Sequence, residues 1–554
     1  MYMCVCVFLC RKYGKGVCRA VHGEKPHAQM DVEQQQEKEE EVLTFVKVAM
    51  LPDDTDEGER LARYLDSMEE CIQYHECEGN HHHEQEEQQQ QEEEGRSKLV
   101  VSKKTTLQAL PSTYLKDLSE LLRNAKYNIK PLLRKISGDA VHPPCMGSGE
   151  EVLLQGFNWD SSKHHRAWYE ELKDQVDEIA DYGFTLIWLP PSTDSVSPEG
   201  YMPRDLYSLD SRYGSVQELM EVIAMFQSRG VKVLGDAVIN HRCAHEQNEH
   251  GVWNQFGGGM KWDERAIVKN DPNFHGRGNL SSGALFEAAP NIDHSQDFVK
   301  SDIGEWLVWM RTHVGFDGWR FDFVKGFHGS HLKDYLEVSK PYFSVGEYWD
   351  TLQYDSQGKL DRNQDAHRQR IVDWIHSTNS LSCAFDMTTK GILHAVFGGS
   401  DYARLADHEG KPAGFMGFWP SRAVTFLENH DTGSSQGHWR FPHDALEQGY
   451  AYILTHPGTP CVFYDHIFHN EHLKHVVRRL IALRKEAGIS CRSRVEIWHS
   501  HTDLYVARIE GRLVLKLGPR DFCPDTEKYR IVDRGYRWAI WRRLPDVDDD
   551  NDDE

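Results

Sequence analysis

Eight short apolar runs recur along the chain, and their regularity restricts the fold more than any other feature. They are Val152–Phe157, Thr185–Leu189, Val231–Ala237, Gly318–Phe323, Phe343–Glu347, Cys383–Asp386, Arg422–Glu428 and Thr459–Tyr464. Short apolar runs bounded by turn signals read as strands buried on both faces, the pattern of parallel sheets. Helical patterns lie between most of them. Trp168, Leu172, Val176 and Ile179 recur at helical spacing, with Gly183 as a stop signal. Ser215 and Glu218 form a capping box that opens a helix carrying Leu219, Ile223 and Phe226 to Gly230. Eight β/α units predict an α/β fold, a (β/α)8 TIM barrel with insertions.

The barrel is predicted over residues 150–241 and 295–489. The stretch 242–294, rich in Gly, Asn and His, is too long for a βα loop and reads as a small domain inserted after the third strand. After Arg494 the apolar period becomes two. Val495–Trp498, Leu504–Ile509, a Glu510-Gly511 turn and Leu513–Leu517 form an antiparallel hairpin, so residues 490–545 are expected to make a C-terminal β domain. Residues 1–149 differ in texture. Within them 31–95 is rich in Glu and Gln and is expected to be disordered, while leucines over 106–137 suggest one or two amphipathic helices. His81-His82-His83 reads as part of a solvated tract, and 546–554 as an acidic tail.

A chain of 554 residues is too long for one core. Its formal net charge of -24 argues against nucleic acid and anionic membrane as partners, and leaves a neutral polymer unaffected. No run of 18 apolar residues is present. The 12 cysteines include Cys145, Cys243, Cys383, Cys461, Cys491 and Cys523 scattered singly through the body, a pattern that favours a reducing compartment over a disulfide framework. Met1–Cys10 is apolar but lacks a preceding basic region, which makes it a poor secretory signal.

Several runs end in residues with chemistry. Arg320 and Asp322 are two apart on one strand and point to one side, where a guanidinium favours the ionised carboxylate. Such an Asp suits a nucleophile, although the spacing alone equally describes a structural ion pair. Glu347 is followed by Tyr348 and Trp349, and aromatic walls desolvate a carboxyl and raise its pKa, as a general acid requires. Asp431 follows Asn429-His430 after another apolar run and could stabilise an oxocarbenium-like transition state. Taken singly, a helix-capping Glu and a turn Asp explain the last two. Three carboxylates from the ends of strands four, five and seven are what glycosidic bond cleavage requires.

Four segments, DAVINH at Asp236–His241, GFDGWRFD at Gly315–Asp322, VGEYW at Val345–Trp349 and FLENHDTGS at Phe426–Ser434, resemble the signature regions of the α-amylase family of glycoside hydrolases. The resemblance runs from about Glu150 to Trp541 and is nearest to the plastid-type class of plant members. It also rests on GFNW at Gly156–Trp159, EGYMP at Glu199–Pro203, NHRCAH at Asn240–His245, AAPNIDHSQDF at Ala288–Phe298, QDAHRQRIVDW at Gln364–Trp374 and GYAYILTHPGTP at Gly449–Pro460. Residues 1–149 lie outside it. The resemblance implies Asp322 as nucleophile, Glu347 as general acid/base and Asp431 as transition-state stabiliser. It implies substrate contacts from Tyr201, His241, Arg320, Lys325, Trp349 and His430. The implied activity is endo-acting, retaining hydrolysis of internal α-1,4-glucosidic bonds of starch. The alternatives are a transglycosylase or α-1,6-acting member of the family, or a non-catalytic glucan-binding protein. The implied compartment is a plastid, with the cytosol as the alternative. The family's calcium site would use Asn240, Asn291 and the Gly326 carbonyl. Ser281 and Asn291 stand where secreted cereal members have aspartates, with Asp271 and Asp293 as possible compensating carboxylates, so one weakly bound calcium at most is expected.

Overall fold

The computed structural model describes residues 145 and 147–545. The expectations for residues 31–95, 81–83, 106–137 and 546–554 lie outside the described residues. The strands are β1 (Leu153–Gln155), β2 (Leu186–Trp188), β3 (Lys232–Ala237), β6 (Gly318–Phe321), β7 (Phe343–Gly346), β8 (Cys383–Phe385), β9 (Ala423–Phe426) and β10 (Thr459–Phe463). They close in the order β1-β10-β9-β8-β7-β6-β3-β2, every pairing parallel. Each apolar run supplies one barrel strand. Nearly every residue in these strands is buried, as expected of a parallel sheet covered by helices.

Helices follow the strands. In α1 (Trp168–Asp181), Trp168, Leu172, Val176 and Ile179 are buried on one face, and the helix stops before Gly183 at φ +93°. The helix α2 (Val216–Ser228) opens on the expected capping box. Ser215 Oγ accepts from the Glu218 N–H (3.3 Å), and Glu218 Oε2 accepts from the Ser215 N–H (2.7 Å).

Between β3 and α3 (Asp297–Trp309) lies the insertion, with its short antiparallel pair β4 (Glu246–Gln247) and β5 (Trp253–Gln255). Arg242 fastens it. Its guanidinium donates to the carbonyls of Arg204 (2.7 Å), Met260 (2.9 Å) and Gly257 (2.8 Å), and lies against the rings of Phe256 and Trp262.

Beyond the barrel, β11 (Val495–His501), β12 (Leu504–Ile509), β13 (Leu513–Leu517), β14 (Tyr529–Gly535) and β15 (Trp538–Arg543) form an antiparallel sheet in the order β11-β12-β13-β15-β14. Glu510 (φ +49°) and Gly511 (φ +67°) make the turn between β12 and β13, closed by the Arg512 N–H on the Ile509 carbonyl (2.9 Å). Positive φ at both central residues is the I′ geometry that suits a twisted hairpin.

Candidate active site

The C-terminal ends of β3, β6 and β7 deliver one buried cluster. In register, Asp236 of β3 lies beside Arg320 of β6, and Arg320 beside Val345 of β7. Arg320 is fully buried. Its Nη1 donates to Asp236 Oδ1 and to Asp322 Oδ1, each at 2.8 Å, and its Nη2 forms an ion pair with Glu347 Oε2 at 2.8 Å. The ladder continues past the strand ends, with the Asp322 N–H on the Ala237 carbonyl (3.2 Å) and the Glu347 N–H on the Phe321 carbonyl (3.0 Å). Both carboxylates therefore spring from fixed backbone. Phe323, at φ +43°, turns its N–H onto Glu347 Oε2 (3.2 Å).

Burial raises Glu347 to about 8. Arg320 opposes the shift, and the charges of Asp322 and Asp431 add to it. Burial likewise raises Asp236 to about 7, again opposed by Arg320 and reinforced by Asp322. Asp431, beyond the end of β9, is also raised by burial. Its N–H and that of Thr432 both donate to Asn429 Oδ1 (3.1 and 3.0 Å), which shapes the turn it sits on.

His430 is buried, and burial, then the Arg320 charge, pushes its pKa well down, so the ring is neutral. Its Nδ1 meets Gln155 Nε2 at 3.0 Å, and its Nε2 lies 3.5 Å from Asp431 Oδ2. Tyr201 lies parallel to His430 (centroids 5.0 Å, 5°), and Trp159 is parallel to both. The Tyr201 hydroxyl donates to Asp236 Oδ2 (2.9 Å), beside Trp188 Nε1 (3.0 Å). His241 is held neutral by burial, meets the Tyr201 carbonyl through Nε2 (2.8 Å) and stacks on Phe286 (4.0 Å). Tyr201, His241, Arg320, His430 and the three carboxylates thus form one connected group. Lys325 instead pairs with Asp350 (2.5 Å), which Arg370 also holds. Trp349 is half-buried and faces Trp439 at 6.4 Å.

Asp236, Trp159, Trp188 and Gln155 carry functional contacts that sequence reasoning missed. A signal for Asp236 existed, because it is the one charge inside the run Val231–Ala237 apart from Lys232 at its edge.

Asn240, Gly326 and Asn291 do come together. A Cβ on Gly326 would lie 1.9 Å from Asn240 Oδ1, and His241 bridges to Asn291. The donors nevertheless do not fit calcium well. Asn291 Oδ1 already accepts the Phe286 N–H (2.7 Å). Asp271 accepts from Asn273, Phe274 and twice from Asn291, and Asp293 from Asn279, Ser295 and Gln296. Ser281 Oγ donates to the Gly283 carbonyl (3.0 Å). Calcium takes six to eight oxygens with carboxylates among them, and of the residues named for the site only Asp271 and Asp293 are carboxylates, each already accepting four hydrogen bonds. Among the described residues no group of three or more His, Cys, Asp or Glu is arranged to hold a metal.

A closed parallel barrel whose strand ends present paired carboxylates beside aromatic rings is an architecture suited to glycoside hydrolysis. Comparison with known proteins narrows this. Residues 166–266 match the family described as alpha amylase, catalytic domain, and residues 486–542 the alpha-amylase C-terminal beta-sheet domain. The chain is 58% identical to Alpha-amylase 3, chloroplastic, of Arabidopsis thaliana over 71% of this chain and 44% of that protein, so it spans under half of that relative. It is 46% identical to Probable alpha-amylase 2 of Arabidopsis thaliana, over 71% of this chain and 94% of that one. A solved Anoxybacillus alpha-amylase shares the fold, with a TM-score of 0.51 at 17% identity over 72% of this chain and 98% of that one. The chain belongs to the α-amylase family of glycoside hydrolases.

Proposed function

We propose that this protein is an endo-acting, retaining hydrolase of internal α-1,4-glucosidic bonds in starch and related glucans. The observation that carries the reading is the single Arg320 guanidinium shared by Asp322 and Glu347. One guanidinium spanning two carboxylates from adjacent strands supports the close spacing of about 5–5.5 Å that retention requires. Asp322, ion-paired and fixed, attacks the anomeric carbon. Glu347, protonated at neutral pH, gives its proton to the departing glycosidic oxygen. In the second step water attacks the glycosyl-enzyme and Glu347 takes the proton back. Asp431 faces the positive charge that develops on the sugar ring, neutral His430 offers its Nε2 to the ring's hydroxyls, and His241 would join it by exchanging its bond to the Tyr201 carbonyl. Tyr201 supplies an apolar ring face.

Proton NMR of the first products from a blocked maltooligosaccharide tests the reaction. The α-anomer is expected, and initial β-anomer would overturn retention. Amylose chain length should fall faster than reducing ends appear if attack is internal. We further propose a plastid as the compartment. Support comes from the relative named chloroplastic and the free thiols of Cys145, Cys243, Cys383, Cys461, Cys491 and Cys523. A fluorescent fusion entering the secretory pathway would refute it. Among the described residues no helix is long and apolar enough to cross a membrane.

A further inference from the structure

The segment from Leu427 to Phe441 carries His430 and Asp431, yet no strand or helix lies between the end of β9 at Phe426 and His443. Two buried ionisable side chains hold it instead. Lys390 lies on α6 (Met387–Gly399) and is fully buried. Its Nζ donates to the carbonyls of Leu427 (2.5 Å) and Trp439 (3.2 Å) and meets His394 Nε2 (3.0 Å). Nζ thus has three partners, and burial, opposed by the charge of Glu428, lowers its pKa to about 7. The Leu427 and Trp439 carbonyls stand at opposite ends of the segment, so one side chain ties both.

Glu428, also buried, closes the same segment from the other side. Its Oε1 accepts the Phe441 N–H, and its Oε2 meets His466 Nε2 at 2.8 Å. His466 lies on α8 (Tyr464–Phe468), and its Nδ1 meets the Tyr450 hydroxyl (2.7 Å) of α7 (Leu446–Thr455). From the same α8, Asp465 accepts from Ser434 Oγ (2.9 Å) and from Asn158 Nδ2 (2.6 Å). Trp439 is gripped as well, with Lys390 Nζ 4.7 Å from its ring and His394 stacked on it at 4.8 Å.

Buried charges are costly and add little stability over well-packed apolar residues, and one attested use is to fix a unique conformation. We propose that Lys390 and Glu428, with His466, are positioning residues that set Asp431 and Trp439 relative to the Arg320 cluster. The hydrogen bonds of all three run to the segment and its supporting helices, not to the Arg320 cluster. The inference deepens the proposed reaction and rests on the role given there to Asp431.

The test is a double-mutant cycle on an aryl maltooligoside. Lys390→Met and Glu428→Leu should each lower kcat by about tenfold to a hundredfold, the scale of a misplacement of about an ångström. KM should hold, because Asp431 acts in the transition state. Glu428→Gln, which keeps an acceptor for the Phe441 N–H, should restore most of the loss. In the Asp431→Asn background the same substitutions should cost under about threefold, since neighbours acting as a unit are non-additive. Equal losses in both backgrounds, or wild-type kcat in folded Lys390→Met, would overturn the proposal. If Lys390→Met does not fold, the Glu428→Leu and Glu428→Gln pair carries the same cycle. An unchanged kcat in Asp431→Asn alone would instead sink the role of Asp431.

Discussion

Replacing Glu347 by Gln isolates the proton that the reaction needs. The carboxamide oxygen can still accept the Phe323 N–H (3.2 Å) and lie against Arg320 Nη2 (2.8 Å), so the fold is expected to survive. What disappears is the transferable proton. General acid catalysis contributes about a hundredfold to ten-thousandfold, and kcat on unactivated oligosaccharide should fall by that much. A substrate with an acidic phenol as leaving group needs less protonation and should lose less in the first step. In the wild type, kcat/KM should fall along an alkaline limb centred near 8, about tenfold per pH unit beyond it, and this limb should vanish in Glu347→Gln. Stability follows the same proton. The folded value is raised above the ordinary 4.5, so the contribution is fully present below about 4.5 and is lost as pH rises through about 8. At about 1.4 kcal/mol per unit, several kcal/mol are involved, shared with Asp236, which is raised alongside. Urea unfolding from pH 5 to 9 should therefore show the wild type losing stability relative to the variant. Near-normal turnover on the unactivated substrate, or an alkaline limb unchanged in the variant, would refute the assignment.

Asp322→Asn should reduce kcat by several orders of magnitude on every substrate, activated or not, because it replaces the attacking carboxylate by a neutral amide; turnover within about tenfold of wild type would end the nucleophile role. Asp236→Ala leaves Arg320, Trp188 and Tyr201 each short of an acceptor, and should cost about 3–5 kcal/mol in urea unfolding. A cost under about 1 kcal/mol would show that Asp322 and Glu347 suffice to hold the guanidinium. EDTA should leave most activity in place, since a site only half filled adds about 0.4 kcal/mol. Complete inactivation reversed by micromolar calcium would show that Asn240, Asn291 and Gly326 gain a carboxylate partner.

Barrel strands are legible because parallel strands buried on both faces read as near-continuous apolar runs, as Thr459–Tyr464 does. Their ends are less so. The run Arg422–Glu428 yields a strand only over Ala423–Phe426, because the Leu427 carbonyl turns to Lys390 and Glu428 to Phe441 and His466. The strands β14 and β15 were covered only by the general expectation of a β domain. A bulge between Ile531 and Asp533 breaks their alternation, and charges crowd their exposed faces. Asp236 hid within an apolar run, and Lys390 reads as an ordinary helical lysine. Their partners lie 84 and 37 residues away, a separation that local pattern does not encode.

The charge count around Arg320 argues for how the site discriminates. One guanidinium meets three carboxylates at 2.8 Å, and Asp431 stands nearby. Burial penalises this surplus of negative charge, which is why Asp236, Glu347 and Asp431 all shift upward, Asp236 to about 7 and Glu347 to about 8. A neutral glucan gains little from such a field, whereas a sugar ring acquiring positive charge gains much, which is the differential binding that catalysis needs. A permanently cationic ring analogue, bearing a quaternary nitrogen that does not itself titrate, should therefore bind more tightly as pH rises from 6 to 8. Each proton released from the cluster can contribute up to about tenfold per pH unit. The neutral isostere should show no such trend in isothermal titration calorimetry. If the cation's affinity stayed flat or fell across that range, the carboxylates would have to be ionised already at pH 6, and burial would not govern the site.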